Sequence, residues 1–466
     1  MRTIVSYIIT FLFFSTCFAD GDLIKIDSLN KLVGLQSGRE RIETLISLSE
    51  AYRKVSFEKS LRTGTDAEQF ASDEGFNALK GKILLSMGES ASLSGDYALA
   101  LDYYNKSLNA YKETDGFAEL AETYNKMGLV YKNLAEYDKA IEYLMIATDL
   151  EKEHNLVSQL AGSIANIATI YFAKGDFNKA MDGYHQAQIV YKDLNDTLRY
   201  AKMTMNIGLV YWQWDENQLA LDMLLEAKTI FKQKDDFVEL GRVYNNIGML
   251  YYQDVKDTVK ALEYFENSLA IRELLGNQLG MAVVLANIGN VYRDRNQLFE
   301  AFEKYDKALR ISEAIGYKEG EVRTNYYIGI AYKKSKKFIE SNRYLEKCLL
   351  MATKYGIKNY FDIVNEAKLK NFAALGDYNG FMEEFRIYAS TKDTLAVELN
   401  EMRTREAEAR YKVNEFIPEM DRLEAENKHQ LELIHLYRYS FISMIVIVIT
   451  IMLILVFRKS KNVPVN

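Results

Sequence analysis

The sequence predicts an all-α fold in which pairs of antiparallel helices stack one after another. Three observations predict this fold. The 466-residue chain has only 2 prolines, so it lacks the breaks that β-rich folds and flexible linkers use. Its hydrophobic content of 48% is that of a globular chain. Finally, small residues recur every 40 residues over most of the chain.

The composition argues against several classes of function. The formal net charge is -7, from 58 Lys+Arg and 65 Asp+Glu, which gives no reason to expect a nucleic-acid partner. Only 2 Cys and 4 His are present, which excludes a disulfide framework and a Cys-based zinc site. Because so little material remains for metal or acid–base chemistry, we expect no cofactor and no catalysis.

Residues 1–19 have the layout of a secretory signal peptide. One Arg precedes the apolar run Ile4–Phe14, and small residues lead to Ala19, after which we expect cleavage. An alternative is that Cys17 is the lipidated residue of a lipoprotein, although the residues before it resemble the usual lipobox poorly. Either reading directs the chain into the cell envelope.

The repeat is anchored by small residues at fixed spacing. They are Gly88, Gly128, Ala168, Gly208, Gly248, Gly289 and Gly329, separated by 40 residues except for one step of 41. The extra residue falls within Asp254–Thr258, where a turn can absorb it. Two further small positions follow in each repeat, for example Ala140 and Ala147 after Gly128.

These positions predict a pair of helices in each repeat. The small residue of the first helix lets the second approach closely, and we expect the Tyr three residues later to fill the volume beside it. In turns such as Gly95-Asp96-Tyr97, Gly ends the first helix in a left-handed conformation and Asp caps the second.

The motifs resemble those of the tetratricopeptide repeat family. MGLVY (127–131) with KAIEYLMIA (139–147) matches its G-x-x-Y and A-x-x-x-Φ pattern, and Asn245-Asn246-Ile247-Gly248 resembles its longer, 40-residue variety. After a lead-in at 20–38, the resemblance covers 39–390 and implies seven clear repeats with degenerate ends. It implies a solenoid, a right-handed superhelix of helix pairs whose first helices line a concave groove.

The resemblance also implies which side chains line the groove, if each anchoring small residue is counted as position eight of its repeat. Position six gives a ladder of amides that suits the backbone of an extended peptide. These residues are Asn166, Asn206, Asn246 and Asn287. The alternative is that each Asn bonds to a neighbouring helix and has a structural role.

Positions twelve and two add aromatic rings and cations. Position twelve gives Lys132, Phe172, Trp212, Tyr252, Arg293 and Lys333, and position two gives Lys202, Arg242 and Arg323. A basic and aromatic groove in an acidic chain favours an acidic or aromatic peptide. The alternative is that Phe172 and Trp212 pack between repeats.

Residues 391–438 read as a coiled-coil-like stalk. Apolar residues recur at heptad spacing from Leu395, and Asn427 falls on the seam, where a polar residue often fixes a paired register. Pro418 should kink or break the helix. We expect a homodimer through residues 395–436. The alternative is a single amphipathic helix that folds back on the last repeat.

Residues 439–457 read as one transmembrane helix. Phe441–Phe457 is uncharged, and 17 such residues rise about 26 Å, enough for the hydrocarbon core with flanking Tyr at the interface. Arg458, Lys459 and Lys461 follow at once, which places the tail, 458–466, in the cytoplasm. With the signal peptide, this predicts a single-pass protein of the bacterial inner membrane with a periplasmic N-terminal domain.

The order of these segments resembles the extracytoplasmic sensor half of Bacteroidetes membrane regulators. In that family a kinase or DNA-binding domain follows the span, whereas nine residues follow it here. We therefore expect a membrane-anchored scaffold or adaptor that binds a protein or peptide in its groove. The alternative is a sensory subunit that signals through stalk and span to a separate output protein.

Overall fold

The computed structural model describes residues 24–53, 55–112, 114 and 116–388. All of them lie in a compact unit that spans Met1–Met402. The predicted signal peptide, stalk, transmembrane helix and tail lie outside the described residues. No helix of the described part is long and apolar enough to cross a membrane.

The described part is built from helices joined by short turns. We number them in chain order as α1 (24–33), α2 (Gly38–Arg53), α3 (Phe57–Asp73), α4 (Asn77–Ser94), α5 (Tyr97–Lys112), α6 (Phe117–Asn133), α7 (Tyr137–Glu153), α8 (Val157–Ala173), α9 (Phe177–Asp193), α10 (Thr197–Gln213), α11 (Asn217–Gln233), α12 (Phe237–Leu250), α13 (Thr258–Leu274), α14 (Gln278–Asp294), α15 (Leu298–Ile315), α16 (Lys318–Lys334), α17 (Phe338–Tyr355), α18 (Phe361–Leu375) and α19 (378–388). No strand occurs among these residues. The all-α prediction is confirmed for them, with the helices arranged as a repeat solenoid.

Each repeat pairs a first helix, even-numbered, with the second helix that follows it. Every second helix also packs on the next first helix, so each pair is enclosed by its neighbours. First helices of successive repeats touch one another, for example α4 with α6 and α14 with α16. Successive second helices show no contact of similar extent within the described part. The first helices therefore lie on the inner side of the stack.

The small residues of the first helices do allow close approach, but a different side chain fills the adjacent volume. A Cβ added at Gly88 would lie 2.4 Å from a ring carbon of Tyr104, and one at Gly289 would lie 2.5 Å from Tyr305. These rings belong to the second helix and are 1% and 0% exposed. The Tyr three residues after each small residue instead lies at the edge of the core, half-buried in most repeats. Our expectation for that Tyr was wrong, because the second helix reaches deeper between the pair.

The turns follow the predicted chemistry. Gly95 has a φ of 85°, and Asp96 accepts a hydrogen bond from the backbone N–H of Leu99 at 3.1 Å. The repeat with one extra residue differs: α12 ends in a π-helical turn, Tyr251–Val255, and Lys256 follows with a φ of 60°. The insertion is thus absorbed from the last turn of the first helix onward, and α13 keeps its register.

Candidate functional site

The predicted groove residues lie on first helices, except for Tyr252, which lies in the π-helical turn that ends α12; this places them on the inner side of the stack. The amide ladder of position six divides into two kinds. Asn166 and Asn287 are bonded to the preceding first helix: Asn166 donates to Asn125 Oδ1 at 3.0 Å, and Asn287 donates to Asn245 Oδ1 at 2.9 Å. For these two residues, the hydrogen bond to a neighbouring helix agrees with the alternative that the side chain has a structural role.

Asn206 and Asn246 are half-buried and make no side-chain hydrogen bond to any described residue. The reason can be found at position five of the preceding repeat. That position is Asn125 before Asn166 and Asn245 before Asn287, but Ala165 and Met205 before the other two, which offer no acceptor. Of the four amides, those of Asn206 and Asn246 are therefore the two without a hydrogen bond within the described part of the chain.

Asn166 belongs to a chain of hydrogen bonds that ends at a buried carboxyl group. Asn125 donates to Ser163 Oγ at 2.7 Å, and Ser163 donates to Glu151 Oε1 at 2.9 Å. Glu151 is 2% exposed, and its Oε2 has no hydrogen-bond partner among the described residues. Burial raises the pKa of this carboxyl from 4.5 to about 7, against the opposing effect of the Ser163 hydrogen bond.

The aromatic residues of position twelve are partly used by the fold. Trp212 Nε1 donates to Asp254 at 2.6 Å, and Tyr252 OH donates to Asp294 at 2.5 Å. Each bond reaches the next first helix or its final turn, and both rings also pack on the core. Phe172 has no polar atom and packs edge-on against Phe177, with centroids 5.4 Å apart. Contacts between repeats thus account for part of the Trp212 and Tyr252 rings, and the second helix of its own repeat accounts for part of the Phe172 ring.

The cations at the far end of the groove differ in how well they are paired. Arg293 donates to Asp294 at 2.8 Å and to Asn290 at 3.0 Å, and only 14% of its side chain is exposed. Arg323 lies 5.9 Å from the ring centroid of Tyr317. Lys333 has a lowered pKa, caused first by burial and then by the charge of Lys370.

The cations nearer the centre share one acid. Lys202 and Arg242 lie 3.1 Å and 3.0 Å from the carboxylate of Glu239, which is 5% exposed. The pKa of Lys132 is lowered, first by burial and second by the charge of Arg242. Lys132 lies in α6 and Arg242 in α12, so this charge effect acts across three repeats.

Sequence reasoning missed the acidic partners that hold the predicted residues. Asp254, Asp294 and Glu239 were not singled out, although Asp254 and Asp294 stand one or two residues after position twelve of the next repeat. An aromatic residue at position twelve, followed one repeat later by Asp one or two residues after position twelve, is the signal that predicts the hydrogen bonds of Trp212 and Tyr252.

Comparison with known families agrees with the repeat pattern. The family model described as tetratricopeptide repeat matches residues 79–152, 239–314 and 280–354. The chain is similar to this family over residues 79–152 and 239–354. No curated protein matches the sequence.

Several solved structures share the architecture. One is a signal transduction ATPase with a tetratricopeptide repeat sensor from Pyrococcus horikoshii, at 13% identity and a TM-score of 0.53. The match covers 78% of this chain and 55% of that one, so the chain spans about half the length of that ATPase. The apo quorum sensor NprR from B. thuringiensis matches at 14% identity and a TM-score of 0.53, over 76% of this chain and 99% of that one.

The Rap conjugation gene regulator of plasmid pLS20, solved in complex with the Phr* peptide, is similar as well. It matches at 14% identity and a TM-score of 0.52, over 72% of this chain and 96% of that chain. At such low identities the similarity establishes the helical-repeat fold and no more.

Proposed function

We propose that the inner face of the array binds an extended peptide or an unfolded segment of another protein. The observation that carries this proposal is the pair of unbonded amides, Asn206 and Asn246, at the same position of successive first helices. An amide donates and accepts at once, so two of them one repeat apart can bond to the backbone of an extended chain. The Rap regulator of similar fold was solved with a peptide bound.

The neighbouring side chains would supply contacts to the ligand's side chains. Leu209 and Met249 are half-buried one helical turn beyond the two amides, on the same face of α10 and α12. The accessible parts of the Trp212 and Tyr252 rings add apolar surface. Because their polar ends are tied to Asp254 and Asp294, the rings are fixed before a ligand arrives, which lowers the entropy cost of binding.

A photo-crosslinking amino acid at residue 209 tests the proposal in cells. The expected result is capture of one defined protein or peptide, identified by mass spectrometry. The matched control is the same probe at Thr229, an exposed residue of the second helix α11. Equal capture of the same species from both positions would show that the inner face has no preference for a ligand.

The proposed setting is the cell envelope, with the signal peptide, stalk and transmembrane helix as anchoring segments and no catalysis by the chain itself. In this role the protein is a scaffold or adaptor of the periplasmic side of the inner membrane. Its support is the sequence: an apolar, uncharged run at 441–457 followed directly by Arg458 and Lys459.

The second candidate, a sensory subunit, is favoured by the heptad pattern from Leu395 that joins the array to the proposed span. Replacing residues 439–457 by an unrelated membrane anchor separates the two candidates. A scaffold keeps its cellular activity after the exchange, because it needs only the groove. A sensory subunit loses activity while still capturing its ligand through residue 209.

A further inference from the structure

The second residue of each second helix changes from polar to apolar along the array. In α7, α9 and α11 this residue is polar, and in α13, α15 and α17 it is a large apolar side chain. The polar residues are Asp138, Asn178 and Gln218, and the apolar residues are Val259, Phe299 and Ile339. We call the last three the apolar rim.

The apolar rim is largely exposed to solvent. Val259 is 65% exposed, Phe299 is 82% exposed and Ile339 is 71% exposed. The fold does not require large apolar side chains here, because the three preceding second helices carry polar residues at the same position. Exposed apolar groups that recur at one position of three successive repeats indicate a surface that meets a partner.

The turns that carry the apolar rim are also rich in exposed cations. In the turns 254–260, 294–300 and 334–340, the exposed acids are Asp294 and Glu340, and the exposed cations are Lys256, Lys260, Arg295, Lys334, Lys336 and Lys337. In the equivalent turns 133–139, 173–179 and 213–219, the exposed acids are Glu136, Asp138, Asp215 and Glu216, and the exposed cations are Lys139, Lys174 and Lys179. The exposed charge of the turns therefore becomes basic in the same repeats in which the rim becomes apolar.

Two acids of the rim turns are already bonded within the fold. Asp257 caps α13 by accepting from the backbone N–H groups of its first turn, and Asp294 accepts from Arg293 at 2.8 Å. Lys336 and Lys337 have no ion-pair partner among the described residues. The edge of the array thus presents apolar side chains beside positive charge that the fold does not neutralise.

We propose that the apolar rim docks on the surface of an anionic lipid bilayer. A contact of this kind combines insertion of apolar side chains with attraction between cations and anionic headgroups, and the rim turns supply both. A second copy of the chain fits this surface less well, because a rim packed on itself would set cations against cations. The proposal rests on the proposed membrane anchoring of the chain and adds a second contact, made by the array itself.

The full-length protein reconstituted in vesicles tests this contact. The fluorophore NBD is attached to F299C, and vesicles of phosphatidylcholine and phosphatidylglycerol carry brominated acyl chains as quenchers. The matched control is NBD on Q218C, at the same position of α11. We expect the label at 299 to be quenched and the label at 218 to stay bright. Quenching at 299 should fall in phosphatidylcholine alone and at high salt, because salt screens the attraction. Wild type carried through the labelling gives the background of its own cysteines, of which Cys348 is buried.

Further variants of the labelled F299C protein assign the contact to the apolar rim and its cations. I339S should lower the ratio of docked to undocked array about tenfold, because one isoleucine side chain no longer leaves water. K336Q/K337Q should lower this ratio about tenfold or more through the loss of two cations near the headgroups. The controls are I189S, a 60% exposed isoleucine of α9, and K232Q/K234Q, two exposed lysines at the end of α11. Both controls should leave the ratio unchanged.

Three results would overturn the rim contact alone. One is an unquenched label at 299 in vesicles with which the protein floats in a density gradient, since flotation shows that the membrane anchoring is intact. Another is equal quenching of the labels at 299 and 218. The third is a blue shift of the label at 299 without quenching, which would mean that a second copy covers the rim. A protein that floats with no vesicle would reject the membrane anchoring together with the rim contact.

Discussion

At the scale of the residue, Glu151 should make stability depend on pH. Burial raises its pKa from 4.5 to about 7, and no cation is among the causes that act on it. The folded protein therefore binds more protons than the unfolded chain between these values, so the free energy of unfolding falls as pH rises through that window. Once the carboxyl is ionised, the loss amounts to on the order of 3 kcal/mol.

Substitution E151Q should remove this dependence. The amide oxygen can still accept the bond from Ser163, and there is no charge to desolvate. We expect the thermal midpoint of E151Q to exceed that of the wild type at pH 8 and to change less between pH 5 and pH 8. The control is E142Q, an exposed residue of the same helix. Parallel pH profiles for E151Q and the wild type would show that this carboxyl does not carry the effect.

At the scale of the helix pair, replacing a glycine of a first helix by alanine should lower the stability of the fold at one position and raise it at another. A Cβ at Gly128 would lie 2.7 Å from Leu144 Cγ and 3.0 Å from the backbone oxygen of Ala140, which cannot move aside easily. At Gly162 the nearest atom is Tyr191 OH at 3.4 Å, an ordinary contact.

We therefore expect G128A to destabilise the fold by about 1–3 kcal/mol through overpacking. G162A should stabilise it by up to about 1 kcal/mol, because alanine favours the helix. Denaturant unfolding of the two variants beside the wild type measures both effects. Stabilisation by G128A would mean that the small position is not needed for close approach of the second helix.

The helix pairs could be predicted from the sequence because small residues at fixed spacing are needed where two helix backbones approach closely. The turn residues Gly95 and Asp96 also adopt the conformation and the hydrogen bond that we predicted. The sequence did not predict which aromatic side chain lies deepest between the two helices of a pair. Nothing in the local pattern says that Tyr104, and not the Tyr of the first helix, would fill the space beside Gly88. The sequence placed the extra residue in a turn within Asp254–Thr258, whereas the structure absorbs it from the π-helical turn Tyr251–Val255 onward, since an inserted residue can be absorbed inside a helix end as well as after it.

At the scale of the whole array, the groove could be predicted only in part. Periodicity assigned the candidate residues to the first helices, but it gave no means to tell Asn206 from Asn166. That difference arises between repeats, where Asn125 accepts from Asn166 and no equivalent acceptor precedes Asn206. The charge of Arg242 also acts on the pKa of Lys132 three repeats away, which spacing along one chain does not reveal.

The central claim is that the inner face binds a peptide through its unbonded amides. The most direct measurement is the affinity of the ligand captured through residue 209 for the wild type and for N206A/N246A. N105A, an exposed amide of the second helix α5, serves as the control. We expect the double variant to bind at least about tenfold more weakly, from the loss of two sets of hydrogen bonds, and N105A to bind like the wild type. Equal affinity for all three proteins would contradict the claim.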